Sequence, residues 1–449
     1  MNPSQGLITS LNAIREASVS GATIYHQYVP IVDENTDIGS FGTPILNNTA
    51  VMNEFMSKLV NRIVYTSFEN RYTYQNPLRI LEGDRIPLGY AGQEIYINPA
   101  KGRKYNVNDF AGLLVKYEAD IKVQYTSVNM DLQYPVTVSR HKLKQAFVSW
   151  DSLDSFIMEL SNSLYNGAYI DEYKFTKELV SSAYKSNQVQ IQTVSGVNSE
   201  ANAKAFSVAA RTLFLNMQTP STSYNAWNKV GGYGREIVTY SRPEDIVFLI
   251  RNDIRAYIDV MSLANSFNID KADLLGRIIP VDNFDLYDED GTKIFDGSAI
   301  IGFIGDSSWF RIKRQDMYLD EFYNANNRTW QYYLNLTKMY NYSLFANGVV
   351  LATAQPEVDI TSMKFVEEAG VKVTTGQTVE LHIETTPFPA NATITYSSGT
   401  QAKATVAAKE GNNKVAVVTG VAAGTSVITA SANSGATTAT YTITVEAAE

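Results

Sequence analysis

The sequence contains no cysteine and only three histidines, His26, His141 and His382, which lie far apart along its 449 residues. Without cysteine the chain can form no disulfide framework, no thiolate metal site and no cysteine nucleophile. Three scattered histidines argue against a multi-histidine metal site. We therefore expect no metal ion and no cofactor.

Long hydrophobic runs are missing as well. No window approaches eighteen continuous apolar residues, so we expect no membrane span. The first 18 residues have no basic stretch followed by an apolar run, so we expect no signal peptide. The net charge of −9 repels nucleic acid on average and argues against a dedicated DNA- or RNA-binding protein.

Recognisable catalytic motifs are also missing. The acidic run Asp288-Glu289-Asp290-Gly291 would place Leu286 and Gly297 at ligand positions of a calcium loop, so we interpret it as a hairpin turn. The run Gly231-Gly232-Tyr233-Gly234 lacks the Lys and Ser/Thr of a phosphate-binding loop. We expect no catalytic residue, and we expect that the protein is not an enzyme.

What is present begins with a long amphipathic stretch. Hydrophobic residues make up 45% of the chain, enough for a sizeable core. Residues 151–187 contain no proline, and their apolar side chains recur at three- and four-residue steps, which predicts one long helix. Asp151 is the expected N-cap. Gly167, near its middle, indicates a kink or a close approach of another backbone.

The segment ahead of this helix has a different character. Residues 67–135 hold Pro77, Pro87 and Pro99 and end in a strongly alternating run. This pattern predicts a long, irregular β-hairpin, here called the ribbon. Because a two-stranded hairpin is marginal in water, the ribbon needs support. We expect that support from a neighbouring subunit; the alternative is a lid folded back on its own chain.

The remaining segments can be assigned more briefly. Residues 1–66 combine two anchoring helices with a loop-like tract at 29–44, and residues 188–200 form a polar linker. Residues 201–316 indicate an α+β block, in which 278–287 and 292–304 pair about the Asp-Gly turn. Residues 317–354 alternate as strands, and one face carries Trp330, Tyr332, Leu334, Leu336 and Tyr340.

The C-terminal part changes composition at Pro356. Residues 358–446 are rich in Thr, Ala, Val, Ser and Gly, and short strands recur about every ten residues. That pattern predicts an immunoglobulin-like sandwich.

Several short blocks recur in a recognisable order and spacing along residues 45–355. They are Asn76-Pro77-Leu78, Ile86-Pro87-Leu88-Gly89, Glu94-Ile95-Tyr96, Lys144-Gln145-Ala146-Phe147-Val148-Ser149-Trp150, Leu164-Tyr165-Asn166, Asp171-Glu172-Tyr173, Asp273-Leu274-Leu275-Gly276 and Phe345-Ala346-Asn347. Together these blocks resemble the major capsid protein of small short-tailed phages with protein-primed DNA, the Picovirinae type.

The C-terminal segment carries a second set of recognisable residues. They are Val371, Val373, Gly376, Pro387, Tyr396-Ser397-Ser398, Ala404-Thr405-Val406, Val418-Thr419-Gly420-Val421, Gly424-Thr425 and Ile443-Thr444-Val445. This set resembles the bacterial immunoglobulin-like group 2 domain. The usual Trp of that family is replaced by Tyr396, and the loop after Val406 is longer than typical.

The first resemblance implies an α+β, Hong Kong-97-type capsid fold, followed by the all-β sandwich. Its parts would be an N-terminal arm (1–66), an E-loop (67–135), a P domain with a spine helix (136–200 and 317–355, spine helix 151–187), an A domain (201–316) and the immunoglobulin-like domain (358–449).

It also implies a function and partners. The chain would be a structural, non-catalytic subunit that forms pentamers and hexamers in the shell of a virion assembled in the host cytoplasm. Expected partners are a scaffolding protein, a portal or connector and head fibres, with packaged double-stranded DNA touched only non-specifically. Candidate inter-subunit contact residues in the E-loop are Arg79, Arg85, Tyr96, Lys101, Arg103 and Tyr105.

Two functions of other classes remain open from the residues alone. Immunoglobulin-like modules are common in bacterial surface and adhesion proteins, which would need a signal peptide and an anchor. A carbohydrate-active enzyme with an appended binding module would need paired carboxylates at the ends of a parallel sheet.

Overall fold

The computed structural model describes most of the chain, with gaps. The described residues are 3–17, 24–65, 74–87, 89, 91–100, 102, 116, 118–230, 236–261, 277–288, 290–356, 358–386, 393–410, 412–432 and 435–447. They form two compact units. Met1–Gly92, Tyr125–Thr176 and Arg311–Asn341 make the first unit, and Gln93–Gln124, Lys177–Phe310 and Tyr342–Glu449 make the second.

One of the described helices, α6 (Trp150–Lys185), is far longer than the others. The helices are α1 (Gln5–Ala17), α2 (Ile24–Tyr28), α3 (Ile38–Asn47), α4 (Thr49–Tyr65), α5 (Arg140–Ala146), α6 (Trp150–Lys185), α7 (Glu200–Asn216), α8 (Trp227–Val230) and α9 (Asn252–Met261).

The described strands form six sheets. They are β1 (Gly92–Ile97), β2 (Ile121–Thr126), β3 (Met130–Ser139), β4 (Gln190–Thr193), β5 (Ile246–Arg251), β6 (Arg277–Val281), β7 (Leu286–Tyr287), β8 (Lys293–Phe295), β9 (Ile300–Asp306), β10 (Phe310–Asn324), β11 (Thr329–Tyr342), β12 (Gly348–Ala352), β13 (Ser362–Phe365), β14 (Lys372–Thr374), β15 (Thr378–Thr386), β16 (Thr395–Ser398), β17 (Ala404–Lys409), β18 (Asn412–Gly420), β19 (Gly424–Ala432) and β20 (Thr437–Glu446).

The long helix that the apolar spacing predicts is α6, of 36 residues. Its N-terminal cap differs from the prediction: Ser149 Oγ accepts a hydrogen bond from the Ser152 amide at 3.1 Å. Asp151 lies instead in the first turn, where its charge suits the helix dipole. The sequence misled because Asp and Ser are both good caps and stand two residues apart.

Gly167 does not end or split the helix. A Cβ at this position would lie 3.2 Å from Cδ1 of Tyr134, and the Tyr134 hydroxyl donates to Asp171 Oδ2 at 3.0 Å. The glycine therefore admits a tyrosine ring from β3 onto the helix. A side chain makes the close approach, where the sequence indicated a kink or a backbone.

The first unit packs a sheet on this helix. Strands β10, β11 and β3 lie in that order, and β3 runs antiparallel to β11. Trp330, Tyr332 and Leu334 are buried in one cluster with apolar side chains of α6 and of the N-terminal helices. The alternation predicted for β11 is confirmed, since Leu336 and Tyr340 are buried too.

One part of the N-terminal segment contradicts the sequence reading. Residues 38–44, expected to be loop, belong to α3, although they include Pro44 and two glycines. Asp37 caps this helix by accepting a hydrogen bond from the Ser40 amide. Phe41 and Ile45 are buried one turn apart. Burial of this apolar pair outweighs the poor helix propensity of the tract.

The second unit contains a five-stranded sheet in the order β4-β12-β9-β5-β6. Helices α7 and α9 cover one face, where Phe206, Phe248 and Ile304 share a buried cluster. The linker predicted at 188–200 is wrong for β4, a polar strand at the sheet edge that pairs with β12. An edge strand needs few apolar side chains, so its sequence signal is weak.

The predicted hairpin of 278–287 with 292–304 is shorter than expected. Only β7 and β8 pair about the Asp-Gly turn, whereas β6 and β9 belong to the five-stranded sheet. Farther along the second unit, two four-stranded sheets follow, β13-β15-β18-β17 and β14-β20-β19-β16. The short strands that the sequence predicts at a spacing of about ten residues are present as the seven strands β14 to β20, and β13 is an additional strand that was not predicted.

A buried ion cluster joins three parts of the first unit. The Lys338 ammonium donates to Glu82 Oε1 at 3.1 Å and to Glu172 Oε1, and its side chain is 2% exposed. Lys338 lies on β11 and Glu172 on α6. Glu82 lies in residues 76–86, here called the root of the ribbon. A buried charge is tolerable only when it is paired, so the cluster fixes these three elements to one another.

We predict that Gly167→Val destabilises the folded chain by about 1–3 kcal/mol, because the added methyl groups overlap the Tyr134 ring. Urea unfolding of the unassembled subunit measures this. Gly6→Val on α1 is the control, since no atom lies within 4 Å of its Cβ position. In a Tyr134→Ala background the cost at 167 should shrink, and an undiminished cost contradicts the account.

We predict that Lys338→Met costs about 3–5 kcal/mol, because it leaves two carboxylates without their buried cation. Amides of residues 76–86 should then exchange hydrogen faster. The control is Lys142→Met, which breaks an exposed pair with Glu159 and should change little. Adding Glu82→Gln and Glu172→Gln should recover most of the loss; equal effects of the two lysine changes refute the assignment.

Candidate assembly interface

The root of the ribbon is fastened to the first unit. Asn76 caps a short 3-10 helix, Pro77–Leu81, whose Leu78 and Leu81 are buried. Beyond it the backbone follows β10: the Gly83 amide donates to the Ile312 carbonyl at 2.8 Å, and the Ile86 amide donates to that of Arg314 at 2.9 Å. The root thus continues the sheet and leaves that edge of β10 covered.

Two of the predicted contact residues lie on this root. The Arg79 guanidinium stands 5.6 Å from the centre of the Tyr169 ring. Arg85 donates to the Gln315 carbonyl at 3.0 Å and pairs with Asp316 at 3.1 Å. Both arginines are exposed residues that also touch their own unit.

A third predicted residue, Tyr96, is engaged by the second unit. Its hydroxyl donates to the Val238 carbonyl, and its ring lies 5.8 Å from that of Phe345. Burial raises the pKa of this hydroxyl, so it remains a donor. The other three predicted residues, Lys101, Arg103 and Tyr105, lie outside the described residues. The inter-subunit contact of the six residues stays a prediction.

The paired strands β1 and β2 are hydrogen-bonded along one face to other parts of the second unit. Ser343 donates to Glu94 at 2.9 Å, and Gln124 exchanges hydrogen bonds with the 342–344 backbone. Asn98 bonds the backbone of Glu236 and Val238. We expected the support of the ribbon to come from a neighbouring subunit. For these strands at least part of it comes from the same chain, through long polar side chains.

The other face of these strands is apolar and open to water. We call Ile95, Ile97 and Ile121 the exposed isoleucines; they are 56%, 59% and 53% accessible. Covering such side chains would contribute on the order of 1 kcal/mol each. The contact residues predicted from the sequence are charged or tyrosine side chains and do not include these isoleucines. The alternation of Glu94-Ile95-Tyr96-Ile97 nevertheless places Ile95 and Ile97 on one face.

The described strands offer an accessible contact surface. Within the described ranges, no three His, Cys, Asp or Glu side chains lie close enough to hold a metal ion. In the same part of the chain, no helix is both long and apolar enough to cross a membrane. What the strands β1 and β2 present is an apolar, accessible face, which is typical of the core of a protein–protein contact.

Comparison with known proteins agrees with that character. Residues 11–352 match the model of the Phi29-like phage major capsid protein family. The major capsid protein of Bacillus phage B103 is 26% identical over 357 residues, 79% of this chain and 74% of the relative. That of Streptococcus phage Cp-1 is 26% identical over 352 residues, 76% of this chain and 93% of the relative.

A solved structure shows the same fold. The capsid of Staphylococcus phage Andhra superposes with a TM-score of 0.52 at 18% identity, and the match covers 64% of this chain and 88% of that chain. The expected α+β, Hong Kong-97-type capsid fold is confirmed. Of the three functions that the residues left open, the shell subunit is the one supported. The chain belongs to the Phi29-like phage major capsid protein family and is a structural component of the virion.

Proposed function

We propose that copies of this chain associate through the exposed isoleucines, which lie on a neighbouring subunit near its spine helix α6. The observation that carries this is the two-faced ribbon: one face is hydrogen-bonded to its own chain, and the other is apolar and accessible. An apolar strand face of this kind marks a surface that a partner covers. Arg79, Arg85, Tyr96, Lys101, Arg103 and Tyr105 remain our further candidates for contacts between subunits.

We further propose the domain assignment that the resemblance implies. Residues 1–66 would be the N-terminal arm, 67–135 the E-loop, 136–200 with 317–355 the P domain, 201–316 the A domain and 358–449 the immunoglobulin-like domain. Two of these boundaries fall inside strands β3 and β10. Both strands pair with β11, which lies in the proposed P domain. We therefore move the two boundaries to the starts of β3 and β10, so that the whole sheet belongs to the P domain.

The wider assembly follows from the same proposal. Pentamers and hexamers would close the shell, formed in the host cytoplasm with a scaffolding protein, a portal or connector and head fibres as partners. The subunit would act by association alone, without catalysis. Its net charge of −9 suits a wall that confines DNA without gripping it.

We predict that Ile97→Asp abolishes shell formation, because it would bury a charge in the proposed contact at a cost of several kcal/mol. Sizing and negative-stain microscopy of the assembled fraction measure this. Val366→Asp is the control, at a position 59% exposed on the C-terminal sandwich. Circular dichroism should show both variants folded; normal shells from Ile97→Asp would sink the proposed contact.

The C-terminal sandwich has a separate proposed role. It would sit on the outer surface, where it stiffens contacts or touches host surfaces. Its two sheets are built from residues 362–446, beyond the family match, which ends at 352.

We predict that deleting residues 358–449 still gives heads, which then break at lower temperature or denaturant concentration than complete ones. Light scattering during heating or denaturant titration follows their disruption, with full-length heads from the same preparation as the control. Truncated heads of unchanged stability would remove the stiffening role.

A further inference from the structure

Helix α7 has two faces with apolar side chains, and the described part of the chain packs on only one of them. Its inner residues pack on the five-stranded sheet: Ala203, Phe206, Ala210, Leu213 and Phe214 are buried there. On the opposite side a second stripe is exposed, here called the outer stripe of α7. It consists of Ala201, Ala205, Val208, Thr212 and Leu215.

The spacing of the outer stripe is that of a helix-packing seam. Its members follow one another by four, three, four and three residues, the alternation by which one helix meets another along its length. Val208 is 66% and Leu215 51% exposed, so the two largest members are open to water. A helix that only covered the sheet would carry polar residues here.

The flanks of the stripe carry charge of one sign. Lys204 and Arg211 occupy equivalent positions one heptad apart along one side, and Asn202, Ala209 and Asn216 line the other. Lys204 pairs with Glu200 at 2.7 Å, and because both side chains are exposed the pair is easily exchanged for another partner. Arg211 is exposed as well.

These flanks disfavour a second copy of α7 as the occupant. An antiparallel pair would bring Lys204 of one copy beside Arg211 of the other, and a parallel pair would offer neither residue an acid. The stripe is roughly 21 Å long. With a width of about 10 Å, the stripe covers an area of about 210 Å². A stable dimer buries roughly 800 Å² per partner, which is far more.

We propose that the outer stripe of α7 docks a single amphipathic helix of another protein, with apolar residues at heptad spacing and acidic residues beside them. The acids would pair with Lys204 and Arg211. Such a contact is weak for one subunit, and it becomes strong when many copies stand side by side in a shell and the partner is multivalent. This surface is distinct from the exposed isoleucines and does not depend on the contact proposed for them.

The probe is a synthetic 17-residue helical peptide with leucine at the seam and glutamate at the flanks, compared with the same peptide carrying lysine at the flanks. Fluorescence anisotropy measures the binding of each to the full-length, unassembled chain. We expect the glutamate peptide to bind more tightly than the lysine peptide. Val208→Asp should weaken its binding at least about tenfold, and Val366→Asp, the matched control, should not.

Charge reversal separates recognition from folding. The double variant Lys204→Glu, Arg211→Glu should lose the glutamate peptide and gain the lysine peptide, a result that a misfolded chain cannot give. Equal binding of the two peptides, or no binding of either, overturns the proposal. A third outcome also overturns the proposal: Val208→Asp changes the sedimentation of the protein without peptide and leaves peptide binding unchanged. The occupant of the stripe would then be a second copy of the chain.

Discussion

A pair of short strands can fold in water only when at least one of its faces is covered, and this constraint organises the site. Strands β1 and β2 have six residues each, too few to hold themselves together. Polar side chains on one face bind the second unit of the same chain, which fixes the strands. The remaining face is then free to be apolar, because it no longer has to support the fold. In the proposed assembly, one face of these strands stabilises the fold and the other associates with a neighbouring copy.

The root of the ribbon is also stabilised by contacts with its own chain, in this case an ion cluster and backbone hydrogen bonds. Glu82 is held by Lys338, which also pairs with Glu172 of α6, and the backbone from Gly83 to Ile86 extends the edge of β10. A buried ion cluster stabilises less than a well-packed apolar one would, yet it fails sharply when one member is lost. Such a cluster favours one arrangement of helix, sheet and root over the alternatives, a useful property where copies must meet in one geometry.

Sequence reasoning recovered what hydrophobic periodicity encodes. The long helix, the alternation of β11 and seven strands of the C-terminal sandwich follow from spacing alone. It failed where tertiary contacts decide: α3 forms across Pro44 because Phe41 and Ile45 are buried, and β4 is polar because it lies at a sheet edge. The cluster at Lys338 could not be found, because its members lie 90 and 166 residues apart along the chain. Ile95 and Ile97 could be assigned to one face, because they alternate with Tyr96 along β1. Alternation alone does not say whether that face is buried or exposed.

The absence of cysteine allows the central claim to be tested directly, because Ile97→Cys introduces the only thiol in the chain. The rate at which a maleimide labels this thiol should be compared between unassembled subunits and closed shells, with Val366→Cys as the reference position. The account predicts that Cys at 97 reacts readily in subunits and is protected in shells, whereas Cys at 366 reacts in both. Equal labelling of position 97 in the two states would contradict it.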